Sequence, residues 1–126
     1  MKQINEVVEK VYGNYPEKIL QFGEGNFLRA FVDWMVDNAN ANGDYQGSIV
    51  VCQPIANGLA NLINEQDGLY TLAMRGIEDG KTVEKIRPIT SISRCINPYE
   101  DYEALLEVAR SKDLEVVVSN TTEAGI

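Results

Sequence analysis

The stretch Lys18–Asp37, KILQFGEGNFLRAFVDWMVD, constrains the fold more than any other part of the chain. A short apolar run meets Gly23-Glu24-Gly25, and Phe27, Leu28, Phe31, Val32, Met35, Val36 and Ala39 then recur at helical spacing. This is a buried strand, a glycine turn and a packed helix, with those seven residues as the expected inward face. In a chain of 126 residues, 44% hydrophobic and 24% charged, such a unit belongs to one ordered domain with one core.

The remaining pattern extends this unit. Ile4, Val7, Val8, Val11 and Tyr12 predict a short amphipathic helix over 3–12 that caps the domain. NANANGDYQG ends the helix after the glycine turn, and SIVVCQ reads as a second buried strand. Leu59, Leu62 and Ile63 mark a short helix, and the alternation over 69–75 with 83–92, around Glu78-Asp79-Gly80, predicts an inserted antiparallel hairpin. Asn97-Pro98 opens a helix running to about Lys112, with Tyr102, Leu105, Leu106 and Ala109 facing inward. LEVVVS is a further buried strand, left as an exposed edge that invites pairing between copies. Strand, helix, strand, hairpin, helix, strand is α/β with a mainly parallel, Rossmann-like sheet. A complete dinucleotide domain typically has about six strands. Residues 1–126 therefore supply little more than its first half, and the chain is expected to be part of something longer.

The formal charge of −8 repels phosphate backbones and anionic lipid, so nucleic-acid and membrane partners are disfavoured. The amino-terminal residues lack the apolar core of a signal peptide, and a cytoplasmic location is expected. Cys52 and Cys95 read as buried reduced thiols, and with no histidine in the chain no metal site is expected.

Gly23-x-Gly25 between strand and helix is placed as a phosphate-cradling turn requires: one glycine makes the bend and the other lets backbone approach the ligand. Glu24, Asn26 and Phe27 share that turn, although Leu28 stands where the third fingerprint glycine belongs. The alternative is a strand-to-helix turn closed by two glycines. No Lys or Arg lies between Arg29 and Arg75 to meet a 2′-phosphate, so NAD is preferred over NADP. At the second strand's end, Gln53 is either a ribose contact or a polar residue facing water. Arg29 is either an anion clamp or a partner of Asp33 one turn on. Asn120, Thr121 and Thr122 follow a strand's carboxyl end, where open α/β sheets bind ligands, or else cap a helix. Glu123 is an acid in the site or a first-turn carboxylate.

ILQFGEGNFLRAFVDWMVD and VVVSNTTEAGI together resemble the amino-terminal region of the mannitol dehydrogenase family, the polyol-specific long-chain dehydrogenases. The family's early G-x-G-x-F-x-R-A segment is matched by Gly23, Gly25, Phe27, Arg29 and Ala30, and its T-E-x-G segment by Thr122, Glu123 and Gly125. A common family histidine after the Arg-Ala pair is replaced by Phe31, in line with the uronate branch, and the family's acid at the second strand end is replaced by Gln53-Pro54. The resemblance implies metal-independent, NAD-linked interconversion of D-altronate and D-tagaturonate in hexuronate breakdown, with a small sugar acid as substrate. It also implies that acid/base chemistry comes from a lysine with asparagine and histidine partners in a carboxyl-terminal domain. No catalytic residue is then assignable within these 126 residues, which alone would be inactive. Sibling activities on fructuronate or mannitol belong to the same resemblance. A methyltransferase-like domain and a noncatalytic binding domain are the readings from other classes. The sequence does not disclose the oligomeric state.

Overall fold

The computed structural model describes residues 3–120. In chain order the elements are α1 (Ile4–Val7), a 3-10 turn (Tyr12–Asn14), β1 (Glu17–Phe22), α2 (Asn26–Ala30), α3 (Val32–Ala41), β2 (Ser48–Cys52), α4 (Ala60–Glu65), β3 (Tyr70–Glu78), β4 (Lys81–Ile89), β5 (Ile92–Ile96), α5 (Tyr102–Arg110) and β6 (Val116–Ser119). Four strands form one parallel sheet in the order β5-β2-β1-β6, and β3 with β4 forms a separate antiparallel hairpin. The first two crossovers step to one side of β1, and the chain then returns to place β6 on its other side. This is the nucleating half of a doubly wound fold, with its switch point between β1 and β6.

Strand alternation builds two cores. Ile19, Ile49, Val51, Ile63, Ile92 and Cys95 fill one face of the sheet, covered by α3 and α4. Leu20, Val50, Cys52, Ile96 and Val108 fill the other, under α5. Central β2 is buried at all five positions, as a parallel strand covered on both faces must be. Cys52 and Cys95 are free buried thiols, as expected, and they belong to opposite cores. The hairpin turns on Asp79 (φ 52°) and Gly80 (φ 75°), the paired left-handed residues that a two-residue turn needs to match strand twist.

Several expectations are corrected. The amino-terminal helix is a single turn, because Val8 is already extended (φ −120°, ψ 131°) and the chain passes to the 3-10 turn instead. The helix after the glycine turn breaks at Phe31 (φ −112°, ψ −75°), so it is two helices. Its expected apolar face is only partly inward: Leu28 is buried, yet Phe27, Phe31 and Met35 are 62%, 53% and 49% exposed. The buried residues of α3 are Asp33, Asp37 and Asn40. They point inward because each meets a polar group of another segment of the chain, Asp33 through one carboxyl oxygen only. Asp37 receives the Thr90 N–H (2.8 Å) and the Arg87 guanidinium (2.7 Å), and Asn40 exchanges two hydrogen bonds with Gly47.

The hairpin, expected to run to Ile92, ends at Ile89, and Ile92–Ile96 is a strand of the main sheet, paired with β2. Asn97-Pro98 forms a turn, with the Asn97 side chain accepting from the Tyr99 N–H (3.1 Å), and α5 begins later at Tyr102 under an Asp101 cap. The buried side of α5 accordingly runs through Ala104, Leu105 and Val108, leaving Tyr102 and Ala109 exposed. Strand β6 is an edge, as expected, and its Val116 and Val117 are 44% and 58% exposed rather than buried.

Candidate functional site

Pairing registers set Phe22 beside Cys52 and Ser119, and Cys52 beside Ile96, so the carboxyl ends of the parallel strands share one rim. Along that rim the chain supplies three structures: the glycine turn after β1, the loop after β2 and the Asn97–Asp101 turn after β5.

In the glycine turn, Gly23 has φ +132° and donates its N–H to the Cys52 carbonyl (3.0 Å), which ties the bend to the sheet. A side chain there would be strained and would crowd Leu28 Cδ1 at 3.2 Å. Gly25 is different. Its φ of −71° suits any residue, and an added Cβ would meet nothing among the described residues. The space beside it points outward, over the start of α2, which no side chain caps. Backbone donors at that start are aimed at an open rim, the arrangement that accepts an anion.

Glu24 is half-buried, and desolvation raises its pKa against the opposing pull of its own backbone N–H and the Arg29 charge. Asn26 and Phe27 are exposed, with Phe27 stacked on Phe31 at 5.5 Å between ring centroids. Arg29 makes no ion pair with Asp33 among the described residues, which corrects that alternative. Its Nη2 donates to Asn26 Oδ1 (2.7 Å), and its guanidinium lies 5.3 Å from the Tyr70 ring centroid. Asn26, Arg29, Tyr70 and Thr71 line a cavity of about 190 Å³.

Gln53 is 2% exposed, which rules out the water-facing alternative. Its Nε2 donates to the Ile55 and Ala56 carbonyls (2.8 and 3.1 Å), and its Oε1 accepts the Ala60 N–H (3.0 Å), capping α4. Gln53 therefore builds the loop after β2, and for a direct ribose contact it retains only one lone pair of Oε1. Gly58 is packed so closely on this amide that a Cβ would lie 2.5 Å from Gln53 Cγ. Asn120 follows β6 on the same rim and is exposed, whereas Thr121, Thr122 and Glu123 lie outside the described residues.

Two adjoining cavities extend from the turn. One, about 470 Å³ and largely apolar, is lined by Phe22, Cys52, Pro54, Pro98, Tyr99 and Leu105. The Tyr99 hydroxyl donates to the Pro54 carbonyl (3.0 Å), bracing its two walls together. The other, about 640 Å³ and polar, is lined by Glu24, Gln53, Asn57, Asn61, Asn97 and Glu100. A flat aromatic group suits the first, and a hydroxyl-bearing, uncharged group suits the second. Apart from Glu24 and Gln53, sequence reasoning missed these walls. Recognising ISRCI as a parallel strand would have placed 97–102 on the rim.

Residues 17–126 match the family model described as the mannitol dehydrogenase Rossmann domain. The chain belongs to the mannitol dehydrogenase family. Among curated proteins it is 52% identical, over 126 residues, to the altronate oxidoreductase of Bacillus subtilis (strain 168), covering 100% of this chain and 26% of that protein. It is 46% identical to the altronate oxidoreductase of Bacteroides thetaiotaomicron, again across 100% of this chain and 26% of that protein. The chain thus spans about a quarter of the length of these relatives. The family's fold recurs in the Pseudomonas fluorescens mannitol 2-dehydrogenase ternary complex with NAD and D-mannitol, at a TM-score of 0.77 and 24% identity over 91% of this chain and 23% of that one. Substrate-free D-sorbitol dehydrogenase gives a TM-score of 0.74 at 23% identity, over 92% of this chain and 24% of that chain. Membership in the mannitol dehydrogenase family removes the methyltransferase-like alternative. No helix among the described residues is long and apolar enough to cross a membrane.

Proposed function

We propose that these 126 residues are the NAD(H)-binding part of an oxidoreductase that interconverts D-altronate and D-tagaturonate, acting in cytoplasmic hexuronate breakdown. The observation that carries the nucleotide reading is Gly25: nothing among the described residues requires glycine there, whereas a diphosphate resting on the uncapped start of α2 does. The adenine then fits the apolar cavity of Phe22, Pro54, Pro98 and Tyr99, and the ribose the polar one. Glu24 and Glu100 both line the polar cavity, and no Lys or Arg does, so a 2′-phosphate would be placed against carboxylates. This favours NAD over NADP. Held there, NAD(H) would supply the hydride chemistry required at the ketone or alcohol carbon of the sugar acid.

The chain's own work is to bind and orient. Gly23 holds the bend against β2, Gly25 and Asn26 present backbone to the diphosphate, and Gln53 keeps the second loop clear of the ribose space. Arg29, half-buried beside Asn26, supplies positive charge at the turn. Asn120 extends the rim from β6, and Thr121 and Thr122, next in sequence, are assigned to the cofactor with it. The proton-transferring residues belong to the remaining three-quarters of a protein of the relatives' length, so the 126 residues alone bind without turnover.

Calorimetric titration of the chain with NADH, NADPH and S-adenosylmethionine tests this. NADH should bind tightest, and a folded chain that binds no nucleotide, or prefers NADPH, overturns the assignment. For the full-length protein, NADH oxidation with tagaturonate, fructuronate and fructose in parallel should be fastest with tagaturonate.

A further inference from the structure

Beneath the glycine turn lies a polar pair that the binding chemistry does not use. Gln21, at 0% exposure one residue before the end of β1, faces Asp33 of α3, also at 0%. Gln21 Nε2 donates to the Gly23 carbonyl (3.0 Å) and to Asp33 Oδ2 (3.3 Å). The Gly23 carbonyl fixes which end of the amide is the donor, since the reversed amide would set two oxygens together. Two buried acceptors are then left without a donor, Gln21 Oε1 and Asp33 Oδ1. Orphaned buried acceptors are rare because each forfeits its hydration, and a carboxylate forfeits the most. One proton on Asp33 supplies a donor for such an acceptor and removes the buried charge.

The surroundings agree. From α2, Arg29 makes no ion pair with Asp33 among the described residues, and its cation opposes the effect of burial less than the Gln21 hydrogen bond does. From β3 comes the Tyr70 hydroxyl, which donates to the Arg29 carbonyl, and from α3 itself comes Asp37, whose charge is occupied by Arg87 of β4. Ser91 donates to the Asp33 carbonyl rather than to its carboxyl (3.0 Å). Burial pushes the Asp33 carboxyl up to about 7.

We propose that Asp33 is carried as the neutral acid in the folded chain, donating to Gln21 Oε1, and that this shared proton holds the Gln21 amide against the Gly23 carbonyl. Asp33 is thereby a positioning residue for the nucleotide turn, a role that rests on the nucleotide reading above. Ionisation leaves Gln21 as the only donor, among the described residues, to a buried carboxylate and draws its amide away from Gly23. The turn then loses the hydrogen bond that sets its first carbonyl, that of Gly23. If only the protonated form binds well, apparent affinity follows its population, so NADH binding weakens about tenfold from pH 6 to pH 8.

The test has two independent arms on the intact chain. A carbon-13 titration of the aspartate carboxyls, assigned with Asp33→Asn, should show one group titrating near neutrality. An Asp33 already ionised at pH 6 overturns the proposal, whatever the nucleotide does. Calorimetric NADH titrations across pH 6–8 should show the tenfold fall in the wild type and a flat profile in Asp33→Asn, whose amide supplies the same donor permanently. Equal pH profiles for the two proteins overturn the positioning role. Absence of NADH binding at pH 6 overturns the nucleotide reading, and the carboxyl titration then decides the protonation state. If Asp33→Asn fails to fold, the wild-type carboxyl titration, assigned by selective labelling, still supports or overturns the neutral acid.

Discussion

Two glycines two residues apart have opposite reasons to be glycine, and substitution separates them. Gly23→Ala places a Cβ at φ +132° against Leu28 and should destabilise the fold by about 1–3 kcal/mol in chemical denaturation. Gly25→Ala should leave stability within about 0.5 kcal/mol and weaken NADH binding at least tenfold by calorimetry, since its cost falls on the ligand alone. Asp33 yields a pH prediction for stability. Its folded pKa, about 7, lies above the unfolded value of 3.8, so between these the folded state holds more protons than the unfolded one. The stabilisation associated with the proton is complete below about pH 4 and is lost as pH rises to about 7, on the order of 4 kcal/mol in all at roughly 1.4 kcal/mol per unit. Denaturation of the wild type and Asp33→Asn across pH 4–8 should show that the variant lacks this decline. None of this was visible in composition. The glycines were legible from their place between strand and helix, whereas Gln21 and Asp33 resembled ordinary strand and helix polar residues until β1 and α3 were docked.

Elements were legible where one period dominated. Strands β1 and β2, the hairpin and the helix after the glycine turn all follow from apolar spacing and turn residues. What spacing did not disclose is the direction in which α3 faces. Its inner side is held by Asp37 and Asn40 through specific partners, a pattern that reads as solvent-exposed when those partners are unknown. Strand β5 was concealed for a similar reason: Ile92–Ile96 continues the hairpin's β-prone run after a two-residue break, and only pairing with β2 assigns it to the main sheet. The hairpin's attachment is correspondingly local. Arg87, with 31% of its side chain exposed, anchors β4 to the almost wholly buried Asp37. Arg87→Ala should cost roughly 3 kcal/mol by stranding that carboxylate, with amide exchange accelerating in 70–89 before the parallel sheet.

Across the molecule, the fold class and the binding rim were readable because both follow from the order of strands and turns. The cavity walls were not, since they combine Phe22, Pro54 and Tyr99 from segments far apart in sequence. The parallel sheet also partitions the chain's sulfur chemistry. Cys52 and Cys95 sit on opposite faces of the sheet, so neither can reach the other, and burial pushes the Cys95 thiol up to about 12. Cys52 alone borders the apolar cavity, which gives reagents a route to it that Cys95 lacks. Alkylation followed by peptide mass spectrometry should modify Cys52 first, and saturating NADH should slow that reaction while leaving Cys95 unchanged. The chain thus carries an occupancy gauge in one thiol and, in the other, an internal reference that registers only unfolding.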